Sequence, residues 1–346
     1  MIVAIVIALY SLAVAGLAAA GAWLMARSRL LMDKPNERSS HAVPTARGGG
    51  IGIVVASLLG LVAIGFHGHP ALIQEPVFVG VLLGAVIAAA GGLADDIRAR
   101  SYSFKLGFQV AAAAIAMAFG LMIERIYIPG FGPVALGWLA PAVTFLWLVG
   151  LTNAYNFMDG IDGLAAGTAV VAAGFLAAIL MLLRQIDPST LATTLAAASF
   201  GFLLLNLPPA RVFMGDVGSQ FVGFAFAAIA VLIAREDPTG TLIYVVPLLL
   251  FHFIFDTVFT AIRRWRNGEN VTIAHRTHLY QRLTHAGLGH GRASLALCAV
   301  GVAQGLGALW LVQSPPALRL AIFVPAIALQ IVYAIAVTRY ETRVTG

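Results

Sequence analysis

Charge is scarce in this chain. Only 10% of its 346 residues are Asp, Glu, Lys or Arg, against 60% hydrophobic. A water-soluble domain cannot cover its surface with so few charges. Apolar runs of about twenty residues, each enough to cross the hydrocarbon layer, place the chain in a bilayer instead. Cysteine is nearly absent. The single Cys298 excludes an internal disulfide and, inside an apolar run, reads as a small filler. No basic segment precedes the first apolar stretch, and that stretch leads directly into a basic loop, so it reads as a membrane helix that stays rather than a cleaved signal peptide. Linkers, low-complexity tracts and internal repeats are also lacking, so residues 1–346 read as one membrane domain. The net charge of +6 does not indicate nucleic acid as a partner, because the positive residues lie between apolar spans.

What is present is a series of eleven candidate spans: 2–24, 48–65, 77–94, 104–123, 133–151, 163–183, 190–207, 217–234, 241–262, 293–313 and 317–338. The expected fold is an all-α polytopic membrane protein of about eleven helices. The loop after the first span and every second loop after it carry 17 of the 21 Lys and Arg residues. By the positive-inside rule this side is cytoplasmic, with the N-terminus outside (periplasmic in a bacterium) and the C-terminus inside.

The same side holds nearly all the unusual chemistry. Asn153–Gly163 reads Asn-Ala-Tyr-Asn-Phe-Met-Asp-Gly-Ile-Asp-Gly. Asn153, Asn156, Asp159 and Asp162 recur every three residues. They share one face only if the helix is tightened or broken, and Gly160 and Gly163 favour a break. Polar groups at a membrane boundary are costly unless they bind something; the plain alternative is a capped, solvated turn. Asp95-Asp96 ends the third span, where two adjacent carboxylates suit a general base or a magnesium site, or form a helix-end cap with Arg98. Lys105 starts the next span and suits a phosphate. Asp216 stands in a glycine-flanked turn within Arg211–Ser219, either as an N-cap or beside magnesium, with Asn206 able to supply a second oxygen. In the loop Asp33–Gly50, Arg38, His41 and Arg47 suit phosphate, unless it is an ordinary positive-inside loop. His275–Arg282 offers Arg276 and His278 for phosphate; zinc is disfavoured because no cysteine accompanies the histidines. His252 and Asp256, four apart, either line a polar cavity or pair with each other.

These motifs, in this order and on one face, resemble the polyprenyl-phosphate N-acetylhexosamine-1-phosphate transferases over nearly the whole chain. Asn-Phe-Met-Asp-Gly-Ile-Asp-Gly with His-Arg-Thr-His-Leu-Tyr-Gln-Arg-Leu is most similar to the bacterial O-antigen initiators. The resemblance implies a helical bundle in the bacterial inner membrane with its active site on the cytoplasmic face. It implies Mg2+ as cofactor, with Mn2+ as the alternate ion. Its partners would be a UDP-N-acetylhexosamine and undecaprenyl phosphate, with a homodimer as a family expectation. Asp216 and Asn206 would hold the metal, and Asp95 and Asp96 would act as base or lipid-phosphate positioning groups. Lys105 would contact phosphate. Asn153, Asn156, Asp159, Gly160 and Asp162 would line the nucleotide pocket, and Arg276 and His278 would contact sugar or diphosphate. The chain departs from the family pattern in three places. Asp-Asp-x-x-Asp becomes Asp-Asp-Ile-Arg-Ala, Tyr280 and Gln281 replace later histidines, and Ser40 stands where lysine is common. The nucleophile would be a phosphate monoester, largely ionised at neutral pH (second pKa about 6). A metal that relieves repulsion between two anions therefore matters more than a base, and Asp216 is expected to matter more than Asp95 or Asp96. A direct displacement is the expectation, with a covalent aspartyl intermediate as its rival. A secondary transporter of an anionic solute is the alternative from another class.

Overall fold

The computed structural model describes residues 2–28, 30–33, 44–270 and 276–345, so Arg38, Ser40, His41 and His275 lie outside the described residues. The chain is almost wholly helical. The principal helices are α1 (Ile2–Ser28), α2 (Gly50–His67), α3 (Pro76–Ile97), α4 (Tyr102–Ala118), α5 (Ala140–Phe157), α6 (Leu164–Leu182), α7 (Ile186–Asn206), α8 (Gly215–Arg235), α9 (Val245–Leu249), α10 (Phe251–Arg266), α11 (Leu279–His285), α12 (His290–Gln313) and α13 (Phe323–Thr345). Among the described residues, nine helices are long and apolar enough to cross a membrane. A tenth crossing is a pair bent by 72°, Leu242–Leu249 with Phe251–Arg266, and the 17-residue α4 is a shorter apolar helix. Together these occupy the eleven segments expected from the sequence.

Three segments differ from that expectation: the fourth, the fifth, whose helix runs Ala140–Phe157 rather than 133–151, and the ninth. The fourth helix stops at Ala118 rather than running to 123. Gly120, at φ +94°, ends it, with Leu121 N–H donating to Ala116 O at 3.0 Å and Gly120 N–H to Met117 O at 2.9 Å, a left-handed glycine stop. A short antiparallel hairpin, β3 (Arg125–Ile128) with β4 (Gly132–Ala135), follows it; a smaller pair, β1 (Met32–Asp33) with β2 (Thr45–Ala46), precedes α2. The ninth span is broken. In α10 the buried residues His252, Asp256, Thr260 and Arg264 recur every fourth position, while Val258, Ile262 and Trp265 are exposed. A helix with a polar stripe must press that stripe against protein, and α10 leaves the line of α9 to do so.

α8 is the centre of the bundle, with 94% of its span buried. It packs against α3, α5 and α2, while α6 pairs with α7 and α1 with α2 and α7. Helices of uniform apolarity have no hydrophobic preference for one another in lipid, so close backbone approach sets the pairings. Gly92 of α3 faces the Asp216 carbonyl so closely that a Cβ there would overlap it, and Gly50 and Gly218 exclude a side chain from each other in the same way. Both contacts fall at the end of the bundle where the charged residues gather.

Candidate active site

The loop before α2 brings the first cation in. Ala46 forms a parallel bridge with Val212, Phe213 N–H donates to Ala46 O at 2.8 Å, and Gly49 and Gly50 N–H donate to Phe213 O and Met214 O at 2.9 Å each. This stitching lays Arg47 across the start of α8. Its Nε lies 2.8 Å from Asp96 Oδ1 and its Nη2 3.0 Å from Asp216 Oδ1. The pairing holds the Arg47 guanidinium above its ordinary pKa: Asp96 and then Asp216 outweigh the effect of burial, which pulls the other way.

Lys105 supplies the second cation, with Nζ 3.0 Å from Asp216 Oδ2 and 3.4 Å from Asp95 Oδ2. Asp216 therefore sits between two positive groups. The Asp96 side chain is fully buried and accepts from Asp216 N–H at 2.9 Å and Val217 N–H at 3.0 Å. It satisfies two of the N–H groups that every helix start leaves open, where a carboxylate also suits the helix dipole. Asp95 Oδ1 accepts from Arg100 N–H at 2.7 Å. The adjacent aspartates thus do different work: Asp96 anchors the start of α8, and Asp95 ties Lys105 to the turn that follows α3.

The Asn153–Gly163 stretch splits in two. α5 ends at Phe157 and α6 begins at Leu164, so the four evenly spaced residues do not form one face. Asn156 Nδ2 donates to Ser219 Oγ at 2.8 Å and also faces Asp216. Asn153 lies deeper; its Nδ2 is spent on Gln109 Oε1 at 2.6 Å and Val149 O at 2.9 Å. Asp159 stands in the loop beside the cluster. Burial first, then the charge of Asp216, raises its pKa to about 7, with Arg47 opposing and Asp96 and Asp162 adding to the rise. Asp162 accepts from Ala210 N–H at 3.1 Å and lies 3.4 Å from His290 Nδ1, which joins the loop to the segment before α8 and to α12. Gly160 has no room for a Cβ, because the Tyr280 hydroxyl would overlap it; that hydroxyl donates to Phe157 O at 3.0 Å.

Two sequence readings change here. Asn206, paired with Asp216 as a metal ligand in the sequence pattern, is buried and committed. Its Oδ1 accepts from Gly163 N–H and its Nδ2 donates to Val212 O, both at 2.9 Å, so it clasps two loops. His252 and Asp256 do not bond to each other. His252 Nδ1 is 2.7 Å from Gln304 Oε1 and its Nε2 3.4 Å from Thr168 Oγ1. Asp256 instead takes the start of α11: it accepts from Leu279 N–H at 2.9 Å and Tyr280 N–H at 3.1 Å, with His278 Nδ1 at 3.1 Å. His278 is buried between these contacts and stacks on Phe157. Arg276 is half-buried two residues earlier.

The similar proteins are named as transferases of a phosphorylated amino sugar. This chain is 31% identical over 303 residues to the "Probable undecaprenyl-phosphate N-acetylglucosaminyl 1-phosphate transferase" of Bacillus subtilis (strain 168), covering 87% of this chain and 83% of that protein. The chain belongs to the polyprenyl-phosphate hexosamine-1-phosphate transferases. The description "Glycosyl transferase family 4" matches residues 78–234, a range that holds Asp95, Asp96, Lys105, the Asn153–Gly163 stretch, Asn206 and Asp216. The "Decaprenyl-phosphate N-acetylglucosaminephosphotransferase" of Mycobacterium leprae (strain TN) is 31% identical over 291 residues, 76% of this chain and 72% of that one. The "Phospho-N-acetylmuramoyl-pentapeptide-transferase" of Shouchella clausii (strain KSM-K16) is 37% identical over 204 residues, 54% of this chain and 61% of that one.

The polar residues beside the charged cluster that the sequence reading did not single out are Gln109 and Gln220, with Ser219 next to them. Their signal was legible, since each is a polar residue inside an apolar run at helical spacing from Lys105 or Asp216. Among the described residues, no group of three or more His, Cys, Asp or Glu is arranged to grip a metal by itself. Magnesium needs no such group, because it is commonly held by one or two carboxylates plus substrate phosphate and water. Asp95, Asp96 and Asp216 with the nearby Asp159 outnumber Arg47 and Lys105, and this surplus of negative charge fits a divalent cation.

Proposed function

We propose that this chain transfers an N-acetylhexosamine 1-phosphate from a UDP-sugar to undecaprenyl phosphate or a related polyprenyl phosphate. UMP is released, and the product starts a lipid-linked cell-envelope glycan such as O-antigen. The observation that carries the reading is Asp216 held between Arg47 and Lys105, opposite Asp95 and Asp96, at one end of the bundle. The excess of Lys and Arg in the loops at that end supports a position on the cytoplasmic face of the bacterial inner membrane. The names of the Bacillus and mycobacterial relatives make UDP-N-acetylglucosamine the first donor to test; the N-acetylfucosamine and N-acetylquinovosamine donors follow.

An oxygen of the lipid phosphate attacks the sugar-linked phosphorus. The bond from that phosphorus to the bridging oxygen breaks, and UMP leaves with the electron pair. Little covalent work falls to the protein; positioning and charge neutralisation dominate. Arg47 and Lys105 supply two fixed positive charges where two anionic substrates must meet. Asp216 and Asp159 are the residues that would hold magnesium or manganese, which when bound would screen the two phosphates from each other. Asp159 joins that set because, among the described residues, no hydrogen bond occupies its carboxyl. Asp162 and Gly160 shape the loop that faces the nucleotide.

The test is UMP release by the purified protein in detergent with magnesium, undecaprenyl phosphate and each UDP-N-acetylhexosamine in turn. Release with at least one donor is the expected result, and silence with all of them overturns the proposal. A direct displacement also requires that no phospho-enzyme accumulates when UDP-sugar is supplied without lipid.

A further inference from the structure

One helical turn deeper in the membrane than the charged cluster lies a second polar layer built of carboxamides alone. Lys105 and Gln109 are four apart on α4, Asp216 and Gln220 four apart on α8, and Asn156 and Asn153 three apart on α5. Each of three helices therefore carries one residue at the level of the charged cluster (Lys105, Asp216 and the neutral Asn156) and, about 5 Å further in, one carboxamide on the same face. Gln109 bonds to each of the other two. Gln109 Nε2 lies 3.2 Å from Asn153 Oδ1 and 3.4 Å from Gln220 Oε1, and Asn153 Nδ2 returns a bond to Gln109 Oε1 at 2.6 Å. Gln109 and Gln220 are 2% and 0% exposed. Gln220 cannot turn over, because its amino group would then face that of Gln109. One donor is left over: Gln220 Nε2 is buried without a hydrogen-bond partner among the described residues.

A partly satisfied polar layer is a poor device for holding helices together, since well-packed apolar side chains would do so at least as firmly. Its chemistry suits another task. Amides have direction, so they fix how three helices are rotated against one another. They also do not titrate, so they keep that rotation while the carboxylates above them change charge. We infer that Gln109, acting through Asn153 and Gln220, is a positioning residue for phosphosugar transfer, holding α4 so that the Lys105 ammonium stays between Asp216 and Asp95. The inference rests on the function proposed above.

The experiment uses the full-length protein in detergent, with undecaprenyl phosphate and the donor that gives the fastest wild-type UMP release. Gln109→Leu lowers kcat about 10- to 100-fold, the cost of a misplaced group, with KM for the UDP-sugar within about threefold. Its melting temperature falls, because Asn153 Oδ1 and Gln220 Oε1 lose a buried donor, whereas Gln220→Leu, which deletes the unpartnered donor, lowers kcat with its melting temperature level or higher. Lys105→Met adds little to the loss in a Gln109→Leu background, because Gln109 works through Lys105. The inference is overturned by a Gln109→Leu kcat within about threefold of wild type, by a Gln220→Leu loss that comes only with a falling melting temperature, or by fully additive losses. A wild-type protein that releases no UMP with any donor overturns the proposed function and this inference together; an active wild type with an indifferent Gln109→Leu overturns this inference alone.

Discussion

Asp159 gives the site a pH dependence that can be worked out from its surroundings. Its carboxyl is partly buried beside Asp216, Asp96 and Asp162, and its pKa rises from an ordinary 3.8 to about 7. Between those values the unfolded chain has released the proton and the folded protein has kept it. Folding must therefore take a proton up, and this residue's contribution to stability falls as pH rises, until both states are ionised above about 7. Each pH unit in that window is worth about 1.4 kcal/mol. The window from about pH 4 to 7 spans roughly three units, so the loss approaches about 4 kcal/mol, and partial contact with water reduces it to about 1–4 kcal/mol. Asp159→Asn carries no proton to exchange. Melting curves of the full-length wild type and of Asp159→Asn in magnesium-free detergent should converge near pH 4 and separate by pH 8, with the variant more stable. EDTA is needed, because a bound cation would hold the carboxylate ionised. Curves that stay parallel across the range would refute the placement of Asp159 against the other aspartates.

Three further outcomes follow from the same geometry. Asp216→Asn should lower UMP release about 10²- to 10³-fold, the scale of losing a central electrostatic group, while Asp95→Asn loses less because Lys105 keeps its contact with Asp216; equal losses would move the chemical centre toward Asp95. Gly92→Ala pushes a methyl group into the Asp216 carbonyl and should cost about 1–3 kcal/mol of stability by overpacking, seen as a lower melting temperature; an unchanged one would contradict the close crossing of α3 and α8. Asp256→Asn weakens the acceptor that holds Leu279 N–H and Tyr280 N–H and should cost about 1.5–3 kcal/mol, with protease cleavage near Arg276 and Arg282 as the readout; undiminished resistance would show that α11 is held by other contacts.

The spans were legible because so few charges interrupt them, and the charged loops were legible for the same reason. Asp95, Asp96, Lys105 and Asp216 stand out in an apolar sequence, and the structure does bring them together. What the sequence could not show is which cation meets which carboxylate. Arg47 and Asp216 are 169 positions apart, and nothing local to either selects the other; the bridge from Ala46 to Val212 does. Asn206 was open to misreading for a similar reason: a carboxamide at a helix end serves a metal or a loop equally well until Gly163 and Val212 are placed beside it. The broken ninth span was within reach. His252, Asp256, Thr260 and Arg264 already showed a stripe every fourth residue, which a straight lipid-facing helix does not carry.

The central claim is that a sugar phosphate, and not the sugar alone, moves to the lipid at the Asp216 cluster. Incubating the full-length protein with undecaprenyl phosphate, magnesium and UDP-N-acetylglucosamine labelled in its β-phosphate, and repeating this with each alternative donor, tests it most directly. Label recovered in the lipid fraction together with UMP from wild type, and label left in water-soluble nucleotide by Asp216→Asn, is the predicted result. Wild-type label that stays in soluble nucleotide for every donor, or enters lipid equally well without Asp216, would contradict it.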